Sequence, residues 1–127
     1  MSRVLLDTSA MISEPGGLSL PQEPLEAAVS VVTLGELESG VLMASDEATR
    51  ARRLETLISA RERAEGFDVD QRIAGAYARL VAQARRSGRR LRANDTWIAA
   101  TALVHEVPVV TRDQDFEQFE GVELIRV

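Results

Sequence analysis

Four carboxylates stand where a short apolar segment has just ended or a helical pattern is about to begin: Asp7, Glu36, Asp95 and Asp113. Asp7, Glu36 and Asp113 follow β-like apolar segments, and Asp95 opens a helical one. Carboxylate oxygens are the ligands that hard divalent cations such as Mg²⁺ and Mn²⁺ prefer. If the fold brings the four acids together, they can hold one or two such ions and activate water for phosphodiester hydrolysis.

Each acid taken alone also has an ordinary structural explanation. Glu36 completes a T-x-x-E capping box that begins at Thr33, Asp95 suits the first turn of a helix, and Asp113 suits a turn. Together the four acids indicate a cation site more strongly than any one of them does. Apolar strands would desolvate the acids, and their mutual repulsion would favour a bound cation. Asp115, two residues after Asp113, is a further candidate ligand.

The composition excludes several kinds of site. The 127 residues contain no cysteine, and all fifteen basic residues are arginine. Thiolate zinc sites, cysteine nucleophiles, Schiff-base lysines and the P-loop lysine are therefore excluded. The formal charge is −5, but setting the four candidate ligands aside leaves −1. Net charge therefore does not argue against a nucleic-acid partner, whose phosphates bind basic surfaces.

Hydroxyl-bearing and arginine side chains next to the acids are candidates for substrate contacts. The candidates are Thr8, Ser9, Arg89, Arg90, Arg92, Thr111 and Arg112. The hydroxyls can orient water or a scissile phosphate, and arginine can bind phosphate oxygens through two parallel hydrogen bonds. For the arginines, a solvated charged face is the alternative. Thr33 and Asn94 are interpreted as helix N-caps instead.

Strands and helices alternate along the chain, which predicts an α/β domain with a mainly parallel sheet. Strands are predicted over 3–6, 29–32, 108–110 and 122–127, and helices over 8–13, 33–43, 45–64, 70–87 and 94–104. A loop is predicted over 14–24, a helical turn over 25–28, and a turn or short helix over 113–119. Ligands collect beyond the carboxyl ends of parallel strands, so the acids are expected to converge there.

The two long central helices, 45–64 and 70–87, are predicted to form a helical hairpin. Apolar spacing predicts that the first of them buries Ala51, Leu54, Leu57 and Ile58.

The length of the chain favours a single domain over residues 1–127. Its apolar segments are too short for a membrane span, and the N-terminus lacks the pattern of a signal peptide. We therefore expect a soluble cytoplasmic protein with no membrane partner.

Four sequence blocks resemble the PIN domain, specifically the VapC-type toxin ribonucleases of bacterial toxin–antitoxin pairs. The blocks are VLLDTS at 4–9, VTLGELESGV at 32–41, NDTWIAATAL at 94–103 and VVTRDQDF at 109–116. They span nearly the whole chain, and their order makes the resemblance specific. Trp97 is the most visible local departure. The resemblance implies a PIN-like, Rossmann-like α/β/α sandwich in which Asp7, Glu36, Asp95 and Asp113 are the metal-binding catalytic acids and Asp115 is a variable accessory.

The same resemblance implies an endoribonuclease that depends on Mg²⁺ or Mn²⁺ and cuts RNA, with tRNA or ribosomal RNA as the expected substrate. It also implies a homodimer and neutralisation by a cognate VapB-type antitoxin whose C-terminal segment covers the active site.

Three other functions compete with this one, and two of them require residues that the chain lacks. A haloacid-dehalogenase-like phosphatase would place an acid at position 9, where this chain has Ser9, and would use a lysine that is absent. A phosphoreceiver domain would also need a lysine, so the absence of lysine argues against it too. A catalytically idle PIN-like module that binds RNA or protein is the remaining alternative.

Overall fold

A computed structural model describes residues 2–12 and 25–127. The elements are β1 (Ser2–Leu6), α1 (Thr8–Ile12), β2 (Leu25–Ser30), α2 (Val31–Leu42), α3 (Glu47–Arg63), β3 (Glu65–Phe67), α4 (Gln71–Arg86), α5 (Ala93–His105), β4 (Val109–Thr111), a 3₁₀ helix (Gln114–Gln118) and β5 (Leu124–Arg126). The predicted loop over 14–24 lies outside the described residues. In the described ranges, no helix combines the length and apolar character that crossing a bilayer requires.

The five strands form one parallel sheet in the order β3-β2-β1-β4-β5. This confirms the predicted α/β fold with a parallel sheet. Strand β1 is central. Strands β2 and β3 lie on one side of it, and β4 and β5 lie on the other. The strand order therefore reverses between β1 and β4, and a cleft at such a reversal is where open parallel sheets bind ligands.

Alternating side chains of β1 divide the core into two layers, as the two-residue period of a strand requires. Leu5 packs with Ile73 of α4 and Ile98 of α5 on one face of the sheet. Val4 and Leu6 pack on the opposite face, in a cluster with Leu37 of α2 and Leu57 of α3. Helices therefore cover both faces of the sheet, which gives the expected α/β/α sandwich.

The predicted helical hairpin is wrong. Helix α3 packs against α2, and α4 packs against α5. The strand β3 separates α3 from α4 and pairs in parallel with β2. Because β3 has only three residues, with a glycine at its centre, it carries no β-strand pattern, and its pairing depends on the neighbouring strand.

The buried face predicted for α3 is correct at one position. Leu57 is buried and is joined by Ala60, whereas Ala51, Leu54 and Ile58 are exposed. The helix therefore contacts the core along a narrower stripe than its apolar content indicates.

The helical turn predicted over residues 25–28 is wrong. These residues form a strand, because they pair in parallel with β1 and this pairing overrides their helix-favouring alanine and glutamate.

Two helix starts also differ from the prediction. Ser30 then caps α2 by accepting a hydrogen bond from the backbone N–H of Val32 at 3.1 Å, so Thr33 is not the N-cap. Asn94 is not an N-cap either, since α5 has Arg92 at that position.

The start of α4 is confirmed. Asp70 is its N-cap and accepts a hydrogen bond from the backbone N–H of Ile73 at 3.0 Å. The predicted short helix after Asp113 is also present, as the 3₁₀ helix that leads from β4 to β5.

Candidate active site

Asp7 is the residue immediately after β1, at the carboxyl edge of the sheet. Its backbone N–H donates to the carbonyl of Val110 at 3.0 Å, which ties the end of β1 to β4. The residue is only 4% exposed. Its Oδ2 accepts hydrogen bonds from Ser9 Oγ at 2.6 Å and from Thr111 Oγ1 at 2.9 Å. A buried carboxylate needs such donors, and the two hydroxyls hold it in one orientation.

The same two hydroxyls position the loop that follows β4. Ser9 Oγ and Thr111 Oγ1 are 3.2 Å apart. Ser9 Oγ accepts from the backbone N–H of Arg112 at 3.0 Å, and Thr111 Oγ1 accepts from that of Asp113 at 2.9 Å. These hydroxyls were predicted to orient water or phosphate. In the structure they bond to Asp7 and to the backbone that carries Asp113.

Glu36 approaches the same edge from α2. Thr8 Oγ1 donates to Glu36 Oε1 at 2.9 Å, and Thr8 directly follows Asp7. Because Ser30 caps the helix, the capping-box explanation of Glu36 is wrong. One turn earlier the Thr33 hydroxyl is fully buried, and it finds no hydrogen-bond partner in the part of the chain that the structure describes. The sequence pattern had assigned that hydroxyl to a cap.

Asp95 lies near the other three acids. It lies in the first turn of α5, and its side chain is 17% exposed. Burial raises the pKa of Asp95 to about 6, and repulsion from Asp7, Asp113 and Glu36 adds to the rise. The positive charge of Arg92 offsets part of this. Asp7, Glu36 and Asp113 are therefore near enough to Asp95 to act on its charge, and that the four acids form one metal site stays a prediction.

Asp113 and Asp115 lie on the 3₁₀ turn at the more open side of the pocket. Asp113 caps this turn, and its Oδ1 accepts from the backbone N–H of Asp115 at 2.8 Å. Arg92 crosses to both residues. Its Nη2 lies 3.0 Å from Asp113 Oδ2 and also pairs with Asp115, whose side chain is 56% exposed. This bridge was not foreseen from the sequence, which placed Arg92 among the phosphate-binding candidates.

The other predicted phosphate-binding arginines differ in their surroundings. Arg89 Nη1 donates to the carbonyl of Gln118 at 2.6 Å, so it ties the segment after α4 to the end of the 3₁₀ helix. Arg90 and Arg112 are exposed. Arg112 stands between Thr111 and Asp113, directly beside the pocket.

The donor set fits a hard divalent cation in kind, since all four acids offer oxygen. Burial is the main cause of the raised pKa of Asp95, and repulsion from the other three acids adds to it; a cation would relieve that repulsion. Across residues 2–12 and 25–127, no three acidic or histidine side chains are arranged to hold a metal ion as they stand. Binding would therefore require carboxylates to turn inward, above all those that now face Arg92.

The pKa of Asp95 makes the stability of the metal-free protein depend on pH. In the folded state the pKa of Asp95 is about 6, whereas the ordinary pKa of an aspartate is 3.8. The folded state therefore binds more protons between these values, and this group's contribution to the free energy of unfolding falls as the pH rises through them. We expect Asp95→Asn, which cannot ionise, to melt at a higher temperature than wild type above about pH 6 in chelator.

Thermal unfolding in chelator from about pH 4 to about pH 8 would measure this difference. The gap between Asp95→Asn and wild type should close at the acid end, where wild-type Asp95 is also neutral. Asp68→Asn, which replaces an exposed aspartate after β3, is the control and should show no such trend. A gap that is equal at both ends of the range would contradict the prediction.

Comparisons with known proteins show the family of this chain. The model of the PIN domain family matches residues 4–122. Ribonuclease VapC5 of Mycobacterium tuberculosis is 44% identical over 128 residues, covering 97% of this chain and 94% of that protein. Ribonuclease VapC4 of the same organism is 41% identical over 127 residues, covering 98% of this chain and 97% of that protein.

A solved structure has the same fold. The crystal structure of VapBC-5 from M. tuberculosis, described as a member of the VapBC family of toxin–antitoxin systems, contains a chain that matches with a TM-score of 0.86. The two chains are 41% identical, and the match covers 100% of each.

Proposed function

Because this chain belongs to the PIN domain family, we propose that it is a VapC-type toxin, a metal-dependent endoribonuclease that a VapB-type antitoxin neutralises. The observation that supports the proposal is a set of contacts at the carboxyl edge of the sheet. Thr111 bonds both Asp7 and the backbone of Asp113, Thr8 bonds Glu36, and Arg92 joins Asp113 to Asp95. Relatives of nearly equal length are named ribonucleases, and the solved neighbour is a toxin–antitoxin complex. RNA and a VapB-type antitoxin are therefore the proposed partners.

The chain's own residues divide the work in this proposal. Asp7, Glu36, Asp95 and Asp113 would hold one or two Mg²⁺ or Mn²⁺ ions. When bound, such an ion supplies a hydroxide from water near neutral pH and neutralises charge on the phosphate. The hydroxyls of Ser9 and Thr111 keep Asp7 oriented, and the Thr8 hydroxyl does the same for Glu36.

Asp115 has a secondary place in the proposal. It lies at the more exposed side of the pocket and pairs with Arg92. We therefore assign it the role of an accessory acid outside the ligand set. The exposed guanidinium groups of Arg90 and Arg112 would contact phosphates of RNA on either side of the cut.

We further propose that the substrate is a structured RNA, tRNA or ribosomal RNA, cut in a single-stranded loop in the cytoplasm. A metal-ion pocket at an open sheet edge suits such a loop, because the scissile phosphate must reach the acids without a duplex in the way. The protein would act as a homodimer, as expected from the family resemblance.

The test is an RNA-cleavage assay with the purified full chain. Total cellular RNA would be incubated with Mg²⁺, with Mn²⁺ or with chelator, and the cut ends mapped by sequencing. We expect discrete cut sites with either ion and a loss of cleavage of at least about a hundredfold in chelator. Equal cutting in chelator would contradict metal dependence, and RNA binding without cutting in any ion would instead indicate a catalytically idle module.

A further inference from the structure

Arg92 lies across the mouth of the acid pocket. Its Nε is 3.3 Å from Asp95 Oδ2, and its Nη2 is 3.0 Å from Asp113 Oδ2. The same Nη2 also pairs with Asp115. The Arg92 side chain is 65% exposed, whereas that of Asp95 is 17% exposed. One guanidinium therefore joins an enclosed acid of the pocket to two acids nearer the solvent.

Local helix preferences do not explain an arginine at this position. Arg92 is the N-cap of α5, yet its side chain makes no capping hydrogen bond. Serine, threonine, aspartate and asparagine are the favoured N-caps, and the dipole at a helix N-terminus repels a positive charge. Helix capping therefore does not explain an arginine at this position, but the three carboxylates that surround its guanidinium do. Residues that break a local rule in this way are often functional.

The ion pair between Arg61 and Glu38 is simpler. Arg61 of α3 pairs with Glu38 of α2, and both side chains are 53% exposed. Among the ion pairs of the described residues, Arg61 contacts one carboxylate, while Arg92 contacts three. Arg92 therefore neutralises charge in the pocket, whereas Arg61 forms an ordinary surface ion pair. Replacing either arginine by a neutral residue would change the net charge equally.

We propose that Arg92 is a built-in counter-ion of the metal-free pocket, that metal binding displaces it, and that the displaced guanidinium then binds a phosphate of the RNA. This inference rests on the proposed function, because Asp95 and Asp113 are metal ligands there. Their Oδ2 atoms face Arg92 now, and an inner-sphere cation on these atoms would place its positive charge directly beside the guanidinium, which repels it. Asp115 keeps the guanidinium beside the pocket, where its fork matches phosphate oxygens.

If Arg92 competes with metal for the two carboxylates, removing it should raise the affinity for Mn²⁺. If Arg92 instead supported the metal site, removing it should lower that affinity. We expect Arg92→Met to bind Mn²⁺ about fivefold to tenfold more tightly than wild type, because metal no longer has to displace a partly exposed ion pair. Arg61→Met is the matched control and should stay within about twofold of wild type. Isothermal titration of the full chain with Mn²⁺ measures both affinities without any turnover.

Thermal unfolding provides the second readout. In chelator, Arg92→Met should melt below wild type, since the acids lose their counter-ion. In saturating Mn²⁺ the variant should recover at least the wild-type melting temperature, because bound metal stabilises the folded state in proportion to its affinity. An arginine with only a structural role would lower the melting temperature in both conditions.

Displacement also predicts that Arg92 contributes to RNA binding only when metal is present. A short single-stranded RNA with phosphorothioate linkages, which slow cleavage, would be bound in Mn²⁺ and in chelator and followed by fluorescence anisotropy. Arg92→Met should weaken binding about fivefold in Mn²⁺ and less than about twofold in chelator. Equal weakening in both conditions would show that the guanidinium is free without metal, and would overturn the inference.

The outcomes separate this inference from the proposed function. If wild type binds Mn²⁺ and Arg92→Met binds it equally or more weakly, the counter-ion role is overturned and the nuclease proposal stands. If neither protein binds Mn²⁺ or Mg²⁺, both fall together. If only Arg92→Met binds metal, the displacement is supported in its strongest form.

Discussion

Asp7→Asn is expected to lower the rate of RNA cleavage by at least about a hundredfold in Mg²⁺ or Mn²⁺. Asparagine keeps the size and shape of aspartate, so the backbone link from residue 7 to Val110 should survive. Its amide oxygen can still accept the hydrogen bonds that Ser9 and Thr111 now donate. The other end of the side chain then presents an NH₂ group to the pocket, and NH₂ cannot bind a cation.

The measurement is the initial rate of cleavage of one mapped RNA site, with folding checked by thermal unfolding in chelator. Asp68→Asn is the matched control, because it removes an equal charge from an exposed position outside the pocket. It should cut at the wild-type rate. An Asp7→Asn protein that folds and retains more than about a tenth of wild-type activity would remove Asp7 from the catalytic acids.

Phe116→Ala is expected to lower the free energy of unfolding by about 3–5 kcal/mol. Phe116 is fully buried in the 3₁₀ helix and packs in the core cluster that includes Ile98 and Val109. Its ring also contacts that of Phe119, with centroids 5.4 Å apart. Truncation leaves a cavity beneath the turn that carries Asp113, so Mn²⁺ affinity should fall as well, under conditions where the variant is still folded.

Urea unfolding in chelator measures the stability change, and titration with Mn²⁺ measures the effect on the site. Phe116→Leu is the control, because it fills much of the volume and should cost less than about 1.5 kcal/mol. Were Phe116→Ala to lose less than about 1 kcal/mol, the 3₁₀ helix would not be anchored by this ring.

Elements with a long periodic pattern or a clear cap could be predicted from the sequence. Helix α4 begins close to the predicted position, after its N-cap Asp70, and its buried residues Ile73, Ala76 and Leu80 recur at the three-and-four spacing of a helix. The predicted convergence of the four acids needed only the rule that parallel strands present their carboxyl ends at one edge. Such features are local, or follow from the fold class alone.

The elements that were missed depend on partners distant in sequence. Strand β3 has three residues and exists through its pairing with β2, so no local pattern could reveal it. Thr33 fits a capping box as well as Ser30 fits a single cap, and only the end of β2 decides between them. Arg92 looked like one member of a basic run, because its contact with Asp113 spans 21 residues and is set by the packing of α5 against the sheet.

The hydrogen bond from Thr111 to Asp7 joins residues 104 positions apart. During synthesis, β1 emerges well before its neighbour β4 and the turn that carries Asp113, because Thr111 follows Asp7 by 104 positions. A nascent chain therefore cannot assemble the pocket, however well its first helices have folded. The edge at which we propose RNA is cut is therefore complete only after the central strand β1 has gained its second neighbour, β4.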